Sequence, residues 1–140
     1  MSPPGLILDA SITLAWAFED EAIPYADAVL EALAEDEALV PAIWALEVGN
    51  GLVVAERRDR LNQAATVQFL ALIGQLPITV ESQRTAEVFG EILALAREQG
   101  LSIYDAAYVH LAMRHGLPLA TTDGVLRQAA VRLGVPVYGR

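Results

Sequence analysis

The chain contains no cysteine and no lysine, and its nine basic residues are all arginine. Without thiols there is no disulfide framework and no thiolate metal site, which agrees with a cytoplasmic protein. Without lysine the chain lacks the ammonium group that usually balances a phosphate in aspartyl-phosphate enzymes and in phosphate-binding glycine loops. Gly49-Asn50-Gly51 has no third glycine and so does not read as a dinucleotide-binding turn. No stretch approaches the roughly 18 to 20 apolar residues that span a bilayer, and Met1-Ser2-Pro3-Pro4 lacks the basic and apolar regions of a signal peptide. These absences point to a soluble, intracellular protein. Positive charge is also scarce. A formal net charge of −9 argues against strong non-specific binding to nucleic acid, because cation–phosphate contacts supply most of that affinity. Any nucleic-acid substrate has to be met locally, by bound metal ions and a few arginines.

What the chain does have is apolar residues, 54% of the total over 140 positions, enough for one domain with a proper core and some surface left for a partner. The key stretch is Leu6-Ile7-Leu8, three branched aliphatics that read as a buried strand, followed by Asp9-Ala10-Ser11. A carboxylate at the carboxyl end of a parallel strand lies where such sheets open their ligand crevice, although Asp9 or Ser11 capping the next helix explains the same residues. Helical patterns are expected over 12–18, 25–34, 43–58, through Val67, Leu70 and Ile73, and over 87–97, 102–115 and 125–133. Short strands are expected at 38–41, 78–80, 118–121 and 135–138, the last at an edge because of Pro136. Strands of about four residues alternating with longer helices predict an α/β fold, a short parallel sheet of four to five strands with helices on both faces.

Four acids have neighbours unlike those of a solvated charge. Asp9 ends the first strand. Glu47 has Ile43, Trp44, Asn50 and Gly51 one turn away, so it reads as turned toward a packed side rather than as an ordinary exposed helical glutamate. Asp105 stands three residues after Ser102, which is also the spacing of a capping box. Asp123 leaves the strand of Thr121, where capping the last helix competes with a role in a site. All four fit one edge of a parallel sheet. Carboxylates about 5 Å apart repel by about 3 kcal/mol at an effective dielectric near 20, so such a cluster calls for a cation. With only oxygen donors on offer the ion is hard, Mg²⁺ or Mn²⁺. Such an ion activates water toward a phosphodiester, with Ser11 and Thr121 orienting the carboxylates.

The segments Ile7–Ser11, Glu47–Leu52, Leu101–Tyr108 and Leu119–Asp123 resemble the PIN domain, and within it the VapC-like toxin ribonucleases of toxin–antitoxin modules. The resemblance covers nearly the whole chain and implies a PIN-like three-layer sandwich over 1–140. It implies a metal-dependent endoribonuclease with Asp9, Glu47, Asp105 and Asp123 as catalytic and metal-binding residues, supported by Ser11, Asn50 and Thr121. It further implies an RNA substrate, a cognate antitoxin protein and a homodimer, with no membrane association and no direct DNA binding in the antitoxin's absence. Glycine at 49 and 51 departs from what the resemblance leads one to expect. The rival reading is an inactive PIN-like module whose acidic pocket docks a basic partner. Arg57, Arg58 and Arg60 read as a solvated charge run rather than a phosphate contact, His110 as a packed histidine, and Trp16 and Trp44 as core or interface.

Overall fold

A computed structural model describes residues 4–139; Met1, Ser2, Pro3 and Arg140, included in the expected domain, lie outside the described residues. Strand β1 (Pro4–Leu8) buries Leu6, Ile7 and Leu8 completely, as a strand covered on both faces requires. It is joined by β2 (Glu37–Pro41), β3 (Ile78–Glu81) and β4 (Leu119–Ala120) in a parallel sheet of order β3-β2-β1-β4. The sheet is flanked by helices α1 (Ala10–Ala15), α2 (Pro24–Ala32), α3 (Ile43–Arg57), α4 (Gln63–Ile73), α5 (Thr85–Glu87), α6 (Leu93–Gln99), α7 (Ile103–His115) and α8 (Gly124–Arg132). No described helix is long and apolar enough to cross a membrane.

The strand order decides where a site can form. From β1 the chain moves outward through β2 to β3, then returns across the sheet and pairs β4 with the opposite side of β1. The direction of travel therefore reverses between β1 and β4. In parallel sheets that reversal opens a crevice outside the carboxyl ends of the two strands, because the following helices turn to opposite faces. Asp9 follows β1, and Thr121-Thr122-Asp123 follows β4.

Several expected elements differ in detail. The fifth strand is reduced to a single parallel bridge between Leu119 and Val137. Leu119 donates to Pro136 O at 2.9 Å and Tyr138 donates back to Leu119 O at 2.9 Å, but Pro136 has no N–H and β4 offers only two residues to pair with. The helix expected over 87–97 begins earlier, at Thr85, and passes through a π-helical turn (Val88–Ile92) before ending at Gln99. Helix α1 stops at Ala15, and Glu19–Glu21 forms a 3₁₀ turn. Arg60 reaches that exit, with its guanidinium 4.0 Å from the Phe18 ring and 3.1 Å from Glu21 Oε1.

Helix α3 packs on α1 through Gly51. A Cβ at that position would lie 2.6 and 2.7 Å from the two methyl carbons of Leu14, so the missing side chain is what permits the approach. Gly49 has nothing within 4 Å and no comparable reason to be glycine. The same helix pair is pinned by Trp44 Nε1, which donates to the buried Thr13 Oγ1 at 3.1 Å. Gly51→Val is expected to destabilise the protein by about 1–3 kcal/mol through overpacking. Adding Leu14→Ala should recover part of that cost in a double-mutant cycle of denaturant midpoints, whereas strictly additive costs would count against this contact.

Candidate active site

Asp9 is 6% exposed, and a carboxylate that far from water needs donors. It occupies the residue before α1 in extended conformation but makes no side-chain cap there. Its Oδ2 instead accepts two hydroxyls, from Thr121 Oγ1 at 2.6 Å and from Ser11 Oγ at 2.7 Å. Each hydroxyl in turn accepts a backbone amide: Asp123 N donates to Thr121 Oγ1 at 3.0 Å and Thr122 N to Ser11 Oγ at 3.2 Å. With those amides filling acceptor positions, the hydroxyl protons are left to point at Asp9. Both donors fall on Oδ2, and Oδ1 receives no side-chain hydrogen bond among the described residues. Burial still prevails over these bonds and raises the Asp9 pKa.

The other three acids come from α3, α7 and the start of α8. Glu47 is half-buried and accepts from Tyr108 Oη at 2.7 Å. Its pKa is raised by burial and by the charge of Asp9, against the lowering effect of the Tyr108 bond. Asp105 lies in the first turn of α7, where Ser102 Oγ caps its amide at 3.1 Å. The Ser102 cap accounts for the serine, but the Asp105 carboxylate takes no part in it. Asp105 is pushed up to about 6 by burial and then by the charges of Asp123, Asp9 and Glu47. Asp123 does cap α8, its Oδ1 accepting from Val125 N at 2.9 Å and Leu126 N at 3.3 Å. Its charge nevertheless reaches both Asp9 and Asp105.

All four acids thus share one electrostatic environment at the carboxyl edge of the sheet. They are not drawn into a finished cage: among the described residues no group of three acidic or imidazole side chains is arranged to hold an ion as it stands. The donor chemistry fits a hard divalent cation, since every candidate ligand is a carboxylate oxygen and burial, with mutual repulsion added, already favours protonation. Of the supporting residues expected from sequence, Ser11 and Thr121 contact Asp9. Asn50 does not: it lies exposed on α3 and makes no hydrogen bond among the described residues.

The PIN domain family profile matches residues 6–132. The chain belongs to the PIN domain family. The curated protein Ribonuclease VapC3 of Pyrobaculum aerophilum is 31% identical over 131 residues, 94% of this PIN domain's chain and 98% of that protein. The solved structure of PAE2754, also from Pyrobaculum aerophilum, shares the fold with a TM-score of 0.70 at 24% identity, over 90% of this chain and 84% of the other. A chain from a Klebsiella pneumoniae toxin–antitoxin complex aligns with a TM-score of 0.57 at 18% identity, over 85% and 87% of the two chains.

In this PIN domain sequence reasoning missed Tyr108. It is fully buried, and its hydroxyl pKa is raised by burial and by the bond to Glu47. The available signal was helical spacing: Tyr108 follows Asp105 by three residues and so shares its face of α7. His110 and His115 lie outside the acid group, paired with Glu91 at 2.7 Å and Glu81 at 3.0 Å.

The raised Asp105 pKa has a definite sign. Its folded value lies above the ordinary one, so the stability it contributes is present below about pH 4 and is lost as pH rises through about 6. In chelator, Asp105→Asn should therefore be more stable than the parent at pH 7.5 by on the order of 1 kcal/mol, after discounting for the half-exposed site. Thermal melts should show the gap closing toward pH 4; a constant gap would contradict the raised pKa.

Proposed function

We propose that this chain, read as one domain over 1–140, is a metal-dependent endoribonuclease and the toxin of a toxin–antitoxin pair. The observation that carries the reading is the electrostatic coupling of Asp9, Glu47, Asp105 and Asp123 at the β1–β4 crevice. The relative named Ribonuclease VapC3, similar along almost its whole length, supports the same class of activity. Asp9, Glu47, Asp105 and Asp123 would hold the cation, Mg²⁺ or Mn²⁺ by donor chemistry. When bound, it polarises water and phosphate and offsets the charge that develops as a phosphodiester is hydrolysed.

The chain's own residues set the conditions for that step. Ser11 and Thr121 fix the Asp9 carboxylate through Oδ2 and leave Oδ1 without a side-chain donor among the described residues. Tyr108 holds Glu47 by one oxygen in the same manner. Asp105, pushed up to about 6 by burial and its acidic neighbours, is largely ionised at neutral pH and would serve a cation as a charged ligand. A pocket kept only to dock a basic partner gives no reason to load both hydroxyls onto one oxygen of one carboxylate.

RNA is the proposed substrate, and the cytoplasm the proposed compartment. The antitoxin partner is supported by the toxin–antitoxin complex among the structural neighbours. That protein and a second copy of this chain are also supported by the apolar side chains left at the surface, among them Leu46 and Phe89, each 70% exposed. Direct DNA binding without the antitoxin is not proposed, given the acidic charge.

Mg²⁺ or Mn²⁺ should raise the melting temperature of the wild-type protein, and Asp9→Asn and Asp105→Asn should each largely abolish the shift. The same variants should lose at least about a hundredfold in Mg²⁺-dependent cleavage of RNA. Undiminished cleavage by Asp105→Asn would sink the assigned roles, and equal shifts in all three proteins would leave only a docking module.

A further inference from the structure

We propose that Arg127 is a positioning residue, which locks the peptide after Thr121 so that Ser11 and Thr121 stay aimed at Asp9. Its consequence for catalysis rests on the nuclease reading; its geometry does not. Arg127 lies one turn after Asp123 on α8, and its Nε donates to the carbonyl of Thr121 at 2.8 Å. That carbonyl and the amide of Thr122 belong to one planar trans peptide, so they point in opposite directions. The amide donates to Ser11 Oγ at 3.2 Å, and Ser11 donates to Asp9 Oδ2 at 2.7 Å. One rigid plane is thus gripped at both ends, by Arg127 on the outside and by the Asp9 network on the inside. If either grip is lost, the plane can rotate.

The arginine is itself held in place. Its guanidinium carbon stands 4.8 Å from the centre of the Tyr25 ring, the distance of a cation–π contact. Tyr25 Oη donates to the carbonyl of Tyr138 at 2.8 Å, and Tyr138 Oη donates to Asp36 Oδ2 at 3.0 Å. The half-formed fifth strand therefore has a task that its single bridge does not suggest: it completes the wall against which Arg127 lies. Arg127 does not stand out in the sequence, where the visible basic cluster is the 57–60 run at the end of α3.

The test compares Arg127→Met with Arg132→Met, which removes the same charge from the same helix but breaks only a link to Gln99. In metal-free protein, amide hydrogen exchange at Thr122, followed by NMR, should rise about tenfold or more in Arg127→Met and stay unchanged in Arg132→Met. Mn²⁺ affinity, read from the EPR signal of the free ion, should weaken by roughly three- to tenfold in Arg127→Met alone. Arg127→Lys keeps the charge and the stem but loses the Nε donor. It should show the same faster exchange, and it carries the test if the methionine variant does not fold. Unchanged exchange at Thr122 in both Arg127 variants would overturn the proposal and leave the nuclease reading standing. Faster exchange in a protein whose wild type binds no Mn²⁺ would support the positioning role and defeat the metal reading. Equal Mn²⁺ affinity in Arg127→Met and Arg132→Met would overturn the link to the site.

Discussion

The structure depends on supplying donors to one carboxylate where water scarcely reaches. Asp9 ends an interior strand, and burial alone drives it toward the protonated form. Two hydroxyls oppose that tendency, each of them oriented by a backbone amide from the turn after β4. The amides are in place because β4 lies beside β1, and β4 lies beside β1 because the chain crosses back over the sheet after β3. Fold topology and site chemistry are thus one constraint: a different strand order would leave Asp9 without the Thr121 hydroxyl and Ser11 without the Thr122 amide that orients it.

Around this carboxylate the protein accumulates like charge instead of dispersing it. Asp105, Glu47 and Asp123 are brought within electrostatic range of Asp9, and three of the four acids are raised above their ordinary pKa. This arrangement works against stability and is tolerated by a core in which Leu6, Ile7 and Leu8 of β1 and the inner face of α7, from Ala106 to Ala112, are buried. Elsewhere acids are handled in the opposite way. Glu87, packed among side chains nearer the surface, accepts the Arg84 amide and faces the Arg84 and Arg114 guanidinium groups, and its pKa is lowered. The contrast between neutralised Glu87 and the unneutralised quartet marks the latter as a functional feature.

Much of this was legible in the order of residues. Leu6-Ile7-Leu8 announces a strand buried on both faces, Ser102 and Gly116 bound a helix, and Asp9, Glu47, Asp105 and Asp123 stand out because their neighbours are apolar or small. Three matters were not legible, each for a physical reason. Pro136 marks an edge, but only the two-residue length of β4 reduces the segment to one bridge. A π-helical turn at Val88–Ile92 leaves the helical periodicity on either side almost intact, so its presence does not show in the pattern. Tyr108 looks like any aromatic core residue until the side chain across from its hydroxyl is known to be Glu47. Asn50, expected from the resemblance among the supporting residues, lies on the solvent stripe of α3 with Leu46 and Val53.

The bond from Thr121 to Asp9 joins positions 112 residues apart. During synthesis β1, β2 and β3 emerge long before β4, so a growing chain carries Asp9 for most of its length without the hydroxyl and amides that orient it. Completion of the pocket therefore waits on synthesis of β4 and the turn after it, and a translation product interrupted before that turn is left with the acid but not the machinery around it.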